Sequence, residues 1–167
     1  EPFESNLQGI DMNYNWTNNF RPARQQGGCG SCWAFATAGT IEGNYDINFP
    51  QATKVSFSPQ YLVDCDTDWT GGCNGGDPGT AFNYIIKNGI PYDNSYPYKG
   101  TQLGCNSTAV KNKVVKEIQR CYNCTKEQIK GLLSRGPLSV VIDGSEIQQY
   151  RSVVFEANCY EVNHAVI

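Results

Sequence analysis

The chain has 167 residues, a length that fits one ordinary domain or two small lobes that share a cleft. Asp and Glu outnumber Lys and Arg by 16 to 13, and a net charge of −3 argues against nucleic acid or an anionic membrane as the main partner. No apolar run approaches the roughly 20 residues that a membrane-spanning helix needs.

The first helix is predicted to begin at Cys32, after an irregular surface segment over residues 1–28. Ser31 is a favoured N-cap residue. Small side chains recur after it at helical spacing, at Ala36, Gly39, Thr40 and Gly43. Because small side chains let other backbone approach closely, we predict a buried central helix, in which packing compensates for the low helix propensity of glycine.

Three further helix starts carry capping signals. Ser58-Pro59 and Asp77-Pro78 each place a cap residue before a proline at the first helical position. Asn88-Gly89 predicts the end of the second of these helices. Thr125 and Gln128 form a capping-box pattern at the start of another helix.

The periodicity changes in the last third of the chain. Residues 138–142 and 153–155 are rich in Val and read as strands, and residues 164–167 look like the start of another strand. Helices precede strands along the chain, so we expect an α+β fold, organised as two unlike lobes.

Eight cysteines and 17 glycines are typical of a loop-rich secreted fold held by disulfides. Three sequons make Asn15, Asn106 and Asn123 candidate glycosylation sites and favour the same compartment. We therefore expect a lysosomal, vacuolar or secreted protein rather than a cytosolic one.

Cys32 is a candidate nucleophile on physical grounds. It lies at a predicted helix start, where unpaired N–H groups and the helix dipole favour a thiolate. A base must then come from elsewhere in the fold, and His164 is the only histidine of the chain, 132 residues away.

Other interpretations of these residues remain open on this argument. A cysteine in a cysteine-rich secreted chain is usually half of a disulfide, and a histidine beside Ala-Val-Ile is usually structural. Cys29 and Cys32 form a Cys-x-x-Cys pair at a helix start, as in thiol oxidoreductases. Cys121 and Cys124 repeat that spacing, so a zinc site is a weaker alternative.

A more specific signature surrounds Cys32. Cys-Gly-Ser-Cys-Trp, followed by a histidine about 130–150 residues later, is the pattern of papain-like proteases. The chain resembles the papain family of cysteine proteases, which includes cathepsin L, from about Trp16 to Ile167. Six motifs occur in the family's order: residues 26–35, 58–65, 72–76, 96–98, 136–140 and 163–166.

The resemblance implies a role for each matching residue. Cys32 corresponds to the nucleophile and His164 to the base that keeps it ionised and later protonates the leaving amine. Gln26 corresponds to the side-chain donor of the oxyanion hole. Gly75 and Gly76 match the segment that pairs with extended substrate backbone. No metal or other cofactor is expected.

Family pairings imply the disulfides Cys29–Cys73 and Cys65–Cys105, with Cys32 left free. The pairing of the other three cysteines, Cys121, Cys124 and Cys159, stays open, although Cys121 and Cys124 are close enough in sequence to bridge each other.

The resemblance also implies a substrate-binding surface, formed by Gly75, Gly76, Asp77, Pro78, Val141, Val162, Asn163 and Ala165. Its pocket for the residue two before the scissile bond is lined mostly by apolar side chains, so aliphatic or aromatic residues should be preferred there. Asp77 either caps the helix that starts at Pro78 or faces the cleft, where it would favour a basic substrate residue.

The implied fold is the papain-like two-lobe fold. Residues 17–117 are expected to form a helical left lobe that carries Cys32. Residues 1–16 and 118–167 are expected to form a barrel-like, antiparallel right lobe that carries His164. Because family members continue beyond the catalytic histidine, we expect the right lobe to be incomplete at Ile167, and the start to resemble that of a mature form released from its propeptide.

The expected activity is that of a cysteine endopeptidase that acts on peptide or protein substrates through an acyl-enzyme. A non-catalytic papain-like binding or structural domain is the alternative. Expected partners are proteinaceous cysteine protease inhibitors, the propeptide and a C-terminal chain that completes the right lobe, but no nucleic acid and no membrane.

Overall fold

The structure is a computed structural model that describes residues 14–68, 70–145, 147 and 160–167. The predicted strand at 153–155 and Cys159 lie outside the described residues. Four α-helices and one two-stranded sheet are present in the described ranges: α1 Cys32–Asn48, α2 Pro59–Cys65, α3 Pro78–Asn88, α4 Lys126–Leu133, β1 Val140–Ile142 and β2 His164–Val166. Short 3₁₀ turns cover Thr17–Asn19 and Gly72–Asn74.

The predicted caps form at three of the four helices. Side-chain oxygens of Ser58, Asp77 and Thr125 each accept a hydrogen bond from the backbone N–H three residues later, at 2.8–3.2 Å. The Thr125 N–H in turn donates to Oε1 of Gln128 at 2.9 Å, which completes the capping box. Gly89 ends α3 with a φ of +79°, a conformation that favours glycine. These local predictions are confirmed.

Helix α1 is the centre of the core and contacts α2, α3 and β2. It is buried on nearly every face, and Trp33, Ala34 and Ala38 have no exposed surface. It also continues to Asn48, beyond the small-residue stretch that predicted it. A helix buried all round needs close neighbours on each side, and its many small residues permit them.

Two buried carboxylates fasten the preceding loop to the second half of α1. Asp46 lies 2.7 Å from the Arg21 guanidinium, whose hydrogen bonds hold the pKa of Asp46 below its usual value. Glu42 lies 3.1 Å from Arg24 and accepts the Phe57 N–H at 2.8 Å. Burial raises the pKa of Glu42, although Arg24 opposes that shift. Both pairs fix the chain that leads to residue 26.

The two strands pair antiparallel, with Val140 opposite Val166 and Ile142 opposite His164. Both strands are shorter than the stretches 138–142 and 164–167 that the sequence suggested. The described residues form four α-helices and this antiparallel pair of strands, so the chain has an α+β fold, as predicted.

The sheet packs along a face of α1 formed by glycines. A Cβ atom at Gly43 would lie 2.6 Å from Cγ of Pro137, and one at Gly39 would collide with the Cδ1 methyl of Ile167. The Asn44 side chain adds a hydrogen bond of 3.0 Å to the Pro137 carbonyl. The small residues therefore admit close neighbours, as predicted, but at Gly39 and Gly43 these neighbours are side chains rather than the backbone that was expected.

Within the described residues, no helix is long and apolar enough to cross a membrane.

We expect Gly43→Ala to lower the free energy of unfolding by up to about 2 kcal/mol. Alanine raises helix propensity by about 1 kcal/mol, but overpacking against the rigid Pro137 ring costs about 1–3 kcal/mol. Gly39→Ala is the matched control, because the Ile167 methyl can rotate away, and it should be neutral or stabilising. Urea unfolding of both variants tests this, and a larger loss at Gly39 than at Gly43 would contradict the packing described here.

A third buried carboxyl group, that of Asp66, has an oxygen atom without a hydrogen-bond partner among the described residues. Asp66 follows the last turn of α2, is 2% exposed, and its Oδ2 atom has no hydrogen-bond partner within the described part of the chain. Burial, with a smaller contribution from the Asp68 carboxylate, raises the pKa of Asp66 from 3.8 to about 6. The negative end of the α2 dipole also disfavours a charge there.

The Asp66 carboxyl should therefore make the protein less stable as pH rises from about 4 to above 6. The folded state retains a proton there that the unfolded state has released, so ionisation opposes folding. Asp66→Asn should remove this dependence and gain about 1–2 kcal/mol more at pH 7.5 than at pH 4, after allowance for solvent screening. Urea unfolding of both proteins at the two pH values measures this difference, and an equal effect at both would refute it.

Candidate active site

Cys32 is the first residue of α1, as the sequence predicted. Ser31 occupies the N-cap position, but its side chain makes no capping hydrogen bond. Its Oγ atom instead lies 2.6 Å from the Tyr98 hydroxyl. The prediction that Ser31 caps α1 is therefore right about its position and wrong about its side chain. The positive end of the α1 dipole is thus left without a side-chain acceptor from Ser31.

Among the described cysteines, only Cys32 is free. The structure contains disulfides between Cys29 and Cys73, with an S–S distance of 2.05 Å, and between Cys65 and Cys105, at 2.02 Å. Cys121 and Cys124 are also bridged.

These bridges contradict two of the interpretations that the sequence left open. Cys29 is bonded to Cys73, so it does not form a redox pair with Cys32. Cys121 and Cys124 are bonded to each other, so neither supplies a thiolate to zinc. The free thiol at the start of α1 remains available as a nucleophile.

The packing of the sheet sets the position of His164 along α1. Pro137, which precedes β1, lies against Gly43, while Ile167, which follows β2, lies against Gly39. Since Val140 pairs with Val166, the direction from Pro137 to Ile167 along the sheet runs towards the N-terminus of α1. His164 lies further along the sheet in the same direction, at the opposite end of β2 from Ile167.

The distances along the two elements agree. From Ile167 to His164 the strand spans three residues, or about 10 Å at 3.3 Å per residue. From Gly39 to Cys32 the helix spans seven residues, or about 10.5 Å at 1.5 Å per residue. For a strand that runs alongside the helix, these two lengths would bring the His164 end of β2 level with the Cys32 end of α1.

The turn that follows β1 packs against His164. A Cβ atom at Gly144 would lie 2.7 Å from Cβ of His164, so glycine permits this approach. The Gly144 N–H donates to Oδ1 of Asn163 at 2.9 Å, and the Asn163 N–H donates to the Ile142 carbonyl at 3.0 Å. Asn163, a predicted substrate-binding residue, thus has a bonded side chain and an exposed surface.

Asp143 anchors the chain that leads into β2, and the sequence did not single it out. Its carboxylate accepts the Ser145 hydroxyl at 2.6 Å and the N–H groups of Tyr160 and Glu161 at 3.1 and 3.3 Å. These bonds, led by that of Ser145, lower the pKa of Asp143 to about 2. The Asp-Gly-Ser turn signal after a predicted strand is what could have found it.

Gln26 is held close to the start of α1. Its side-chain Nε2 atom donates to the Cys29 backbone carbonyl at 3.1 Å. The backbone carbonyl of Gln26 accepts a hydrogen bond from the Tyr98 hydroxyl at 2.8 Å. One amide hydrogen on Nε2 is used by Cys29, and the second is left for another acceptor.

The Gly75-Gly76 segment lies beside the same helix start. The Gly30 N–H donates to the Cys73 carbonyl at 2.8 Å, and this bond reinforces the nearby Cys29–Cys73 bridge. A Cβ atom at Gly76 would lie 2.6 Å from the ring of Trp33, so only glycine fits there. Gly75 has a φ of +115°, and no described atom lies within 4 Å of the position of its Cβ. This segment therefore presents open backbone next to Cys32.

The other predicted substrate-binding residues differ in exposure. Pro78 and Ala165 are buried, whereas Val141 and Val162 are 45% and 62% exposed. Val141 and Ala165 are opposite each other across the sheet.

Asp77 acts as a helix cap in the structure, since its Oδ1 atom accepts the Thr80 N–H at 2.8 Å. The Arg120 guanidinium hydrogen-bonds the Gly79 carbonyl on the same turn. A Cβ atom at Gly79 would lie 2.9 Å from Asp77 Oδ1 and 3.0 Å from Arg120 Cζ. A positive charge therefore lies near the Asp77 carboxylate, and it weakens the field that Asp77 could present to a substrate.

A free thiol lies at the N-terminus of α1, and the strand that begins with His164 packs along that helix. A cysteine-dependent hydrolase requires a thiol and a base arranged in this way. The sequence matches the papain family cysteine protease profile over residues 9–167. The chain belongs to this family.

Known relatives agree with this assignment. A cathepsin L-like proteinase from Fasciola hepatica is 34% identical over 177 residues, which cover 99% of this chain and 53% of the relative. The crystal structure of a Carica candamarcensis cysteine protease in complex with E-64 matches with a TM-score of 0.81 at 31% identity, covering 93% of this chain and 75% of that one. A digestive procathepsin L 3 structure from Tenebrio molitor matches with a TM-score of 0.85 at 28% identity, covering 99% and 56%.

The fold is thus the papain-like fold that the sequence predicted. The chain spans between 32% and 53% of the length of three curated relatives that it matches.

Proposed function

We propose that the protein is a cysteine endopeptidase in which Cys32 is the nucleophile, His164 the general base and acid, and Gln26 a donor of the oxyanion hole. The observation that supports this most directly is the free Cys32 thiol at the uncapped N-terminus of α1. The packing of the sheet along that helix, in a register that runs from Ile167 towards His164, supports the pairing with His164. Membership of the papain family supports the same chemistry.

The reaction begins when His164 takes the proton of the Cys32 thiol. The thiolate attacks the substrate carbonyl carbon, and the negative charge moves to the carbonyl oxygen. The Cys32 backbone N–H and the second Nε2 hydrogen of Gln26, which Cys29 leaves unused, donate to that oxygen. Collapse of the intermediate expels the amine, which His164 protonates, and water activated by His164 then hydrolyses the thioester.

Substrate binding is assigned to the Gly75-Gly76 segment and its neighbours. An extended peptide can pair with backbone that no side chain covers, and the space beside Gly75 meets that requirement. The exposed side chains of Val141 and Val162 supply apolar surface for a substrate side chain, and the buried Pro78 and Ala165 lie among the residues assigned to the same pocket. Asp77 serves this surface as a helix cap rather than as an ion-pair partner.

The second candidate function is a papain-like domain that binds peptides without cleaving them. The exposed Gly75-Gly76 backbone would serve such a domain equally well. The free thiol at Cys32 favours the peptidase, because peptide binding alone gives no reason to hold a thiol at a helix N-terminus.

Partners and location follow from the same proposal. Inhibitors of cysteine proteases and a propeptide should occupy the cleft, in keeping with relatives that were solved with E-64 or as a procathepsin. The helical lobe is assigned to residues 17–117, and the right lobe to residues 1–16 and 118–167. A lysosomal, vacuolar or secreted location agrees with the disulfides and with exposed asparagines at the sequons Asn15, Asn106 and Asn123.

An epoxide inhibitor of the E-64 type should label Cys32 alone in the folded natural protein. Cys32→Ser should abolish labelling and reduce peptide hydrolysis by at least about 10³-fold, because a serine hydroxyl needs a stronger base. The Cys121→Ser/Cys124→Ser protein is the control for cysteine removal and should keep full activity. Labelling elsewhere, or turnover that survives Cys32→Ser, would exclude this mechanism.

The substrate pocket should prefer Leu or Phe over Arg two residues before the scissile bond. Burial of an apolar side chain contributes about 1.5–3 kcal/mol, whereas a partly exposed ion pair contributes about 1 kcal/mol or less. The kcat/KM values of matched peptides measure the preference in the natural protein. A faster reaction with Arg that is lost in Asp77→Asn would show that Asp77 faces the cleft.

A further inference from the structure

Tyr98 joins the two sides of the candidate oxyanion hole through a single hydroxyl group. Its oxygen lies 2.6 Å from Oγ of Ser31, the residue before Cys32, and 2.8 Å from the backbone carbonyl oxygen of Gln26. Ser31 is fully buried, so its hydroxyl depends on protein partners. The Tyr98 ring also packs edge-on against Phe35 in the first turn of α1, with 4.7 Å between ring centroids.

Proton counting gives this network a direction. A carbonyl oxygen can only accept, so Tyr98 uses its one hydroxyl hydrogen on Gln26. Tyr98 must then accept from Ser31, whose alternative acceptor, the Cys29 carbonyl, is more distant at 3.4 Å. The chain of bonds runs from Ser31 through Tyr98 to Gln26.

We propose that Tyr98 is a positioning residue, whose hydroxyl sets the distance between the Gln26 amide and the Cys32 backbone N–H for stabilisation of the oxyanion. This inference rests on the proposed peptidase function. Both donors belong to the segment of residues 26–32, and Cys29 and Gly30 within it are fixed to Cys73. Tyr98 supplies the remaining restraint, which acts directly on Gln26 and on Ser31.

The same contact explains why Ser31 does not cap its own helix. The Ser31 hydroxyl is bonded to that of Tyr98, 67 residues away, and this bond fixes the position of its Oγ atom. It is thereby kept from the first-turn N–H groups, which a capping oxygen would occupy. Tyr98 thus both fixes the loop and leaves the helix end to the reacting groups.

Tyr98→Phe tests the inference, since it removes the hydroxyl and keeps the ring that packs on Phe35. The single-turnover rate of acylation by a fluorogenic peptide should fall by about 10- to 100-fold, since small misplacement of catalytic groups has effects of that order. Alkylation of Cys32 by iodoacetamide forms no oxyanion, and its rate should change by less than about threefold.

Tyr96→Phe is the matched control. Tyr96 belongs to the same Tyr-Pro-Tyr segment, and its hydroxyl donates to Oδ2 of Asp64 at 2.9 Å, away from the candidate site. Its removal deletes a comparable hydrogen bond, so any general loss of stability should appear in both variants. Acylation and alkylation rates should both stay within about twofold of the natural protein.

Ser31→Ala provides a second test if Tyr98→Phe does not fold. It breaks the same chain of bonds at its other end and should also slow acylation more than alkylation. Unchanged acylation in Tyr98→Phe, or acylation and alkylation that fall together with the thermal midpoint, would overturn the inference. Hydrolysis that survives Cys32→Ser would instead overturn the proposed function, and this inference with it.

Discussion

The contact on which the rest of the structure depends is the packing of the sheet along the glycine face of α1. Gly39 and Gly43 lack the side chains that would hold the strands away, so Ile167 and Pro137 lie directly on the helix. A closely packed interior allows few alternative registers at such a contact. Through the strand pairing, this register sets the direction in which β2 runs from Ile167 to His164, and that direction leads towards the end of the helix that carries Cys32.

A second constraint keeps the thiol at that end free. Cys29 lies three residues before Cys32 and would be its natural partner, but the bond to Cys73 removes that possibility. The same bridge places the Gly75-Gly76 segment beside the start of α1. The Cys29 carbonyl then accepts the Gln26 amide at 3.1 Å and the Ser31 N–H at 2.8 Å. One disulfide therefore protects the candidate nucleophile from oxidation by its neighbour and also orders the donors and the substrate-binding backbone around it.

The sequence could predict whatever is decided locally. The caps at Ser58, Asp77 and Thr125 need only partners three residues away, and they form as expected. The Ser31 cap fails because a partner 67 residues away competes for its hydroxyl. The full set of bonds at Asp143 could not be predicted for a similar reason, since its carboxylate accepts N–H groups that lie 17 and 18 residues further along the chain. Family motifs supplied the candidate site residues, but spacing alone could not give the register that relates His164 to Cys32.

The charges on α1 are divided in a way that suits chemistry at its N-terminus. Its buried carboxylates, Glu42 and Asp46, lie in the second half of the helix, and Arg24 and Arg21 neutralise them there. No acidic residue lies in its first turn. A buried carboxylate near Cys32 would oppose both the thiolate and the later oxyanion, because like charges repel strongly where water is excluded. With the acidic groups paired at one end and the Ser31 hydroxyl held by Tyr98, the positive end of the helix dipole is left to the sulfur and to the substrate oxygen.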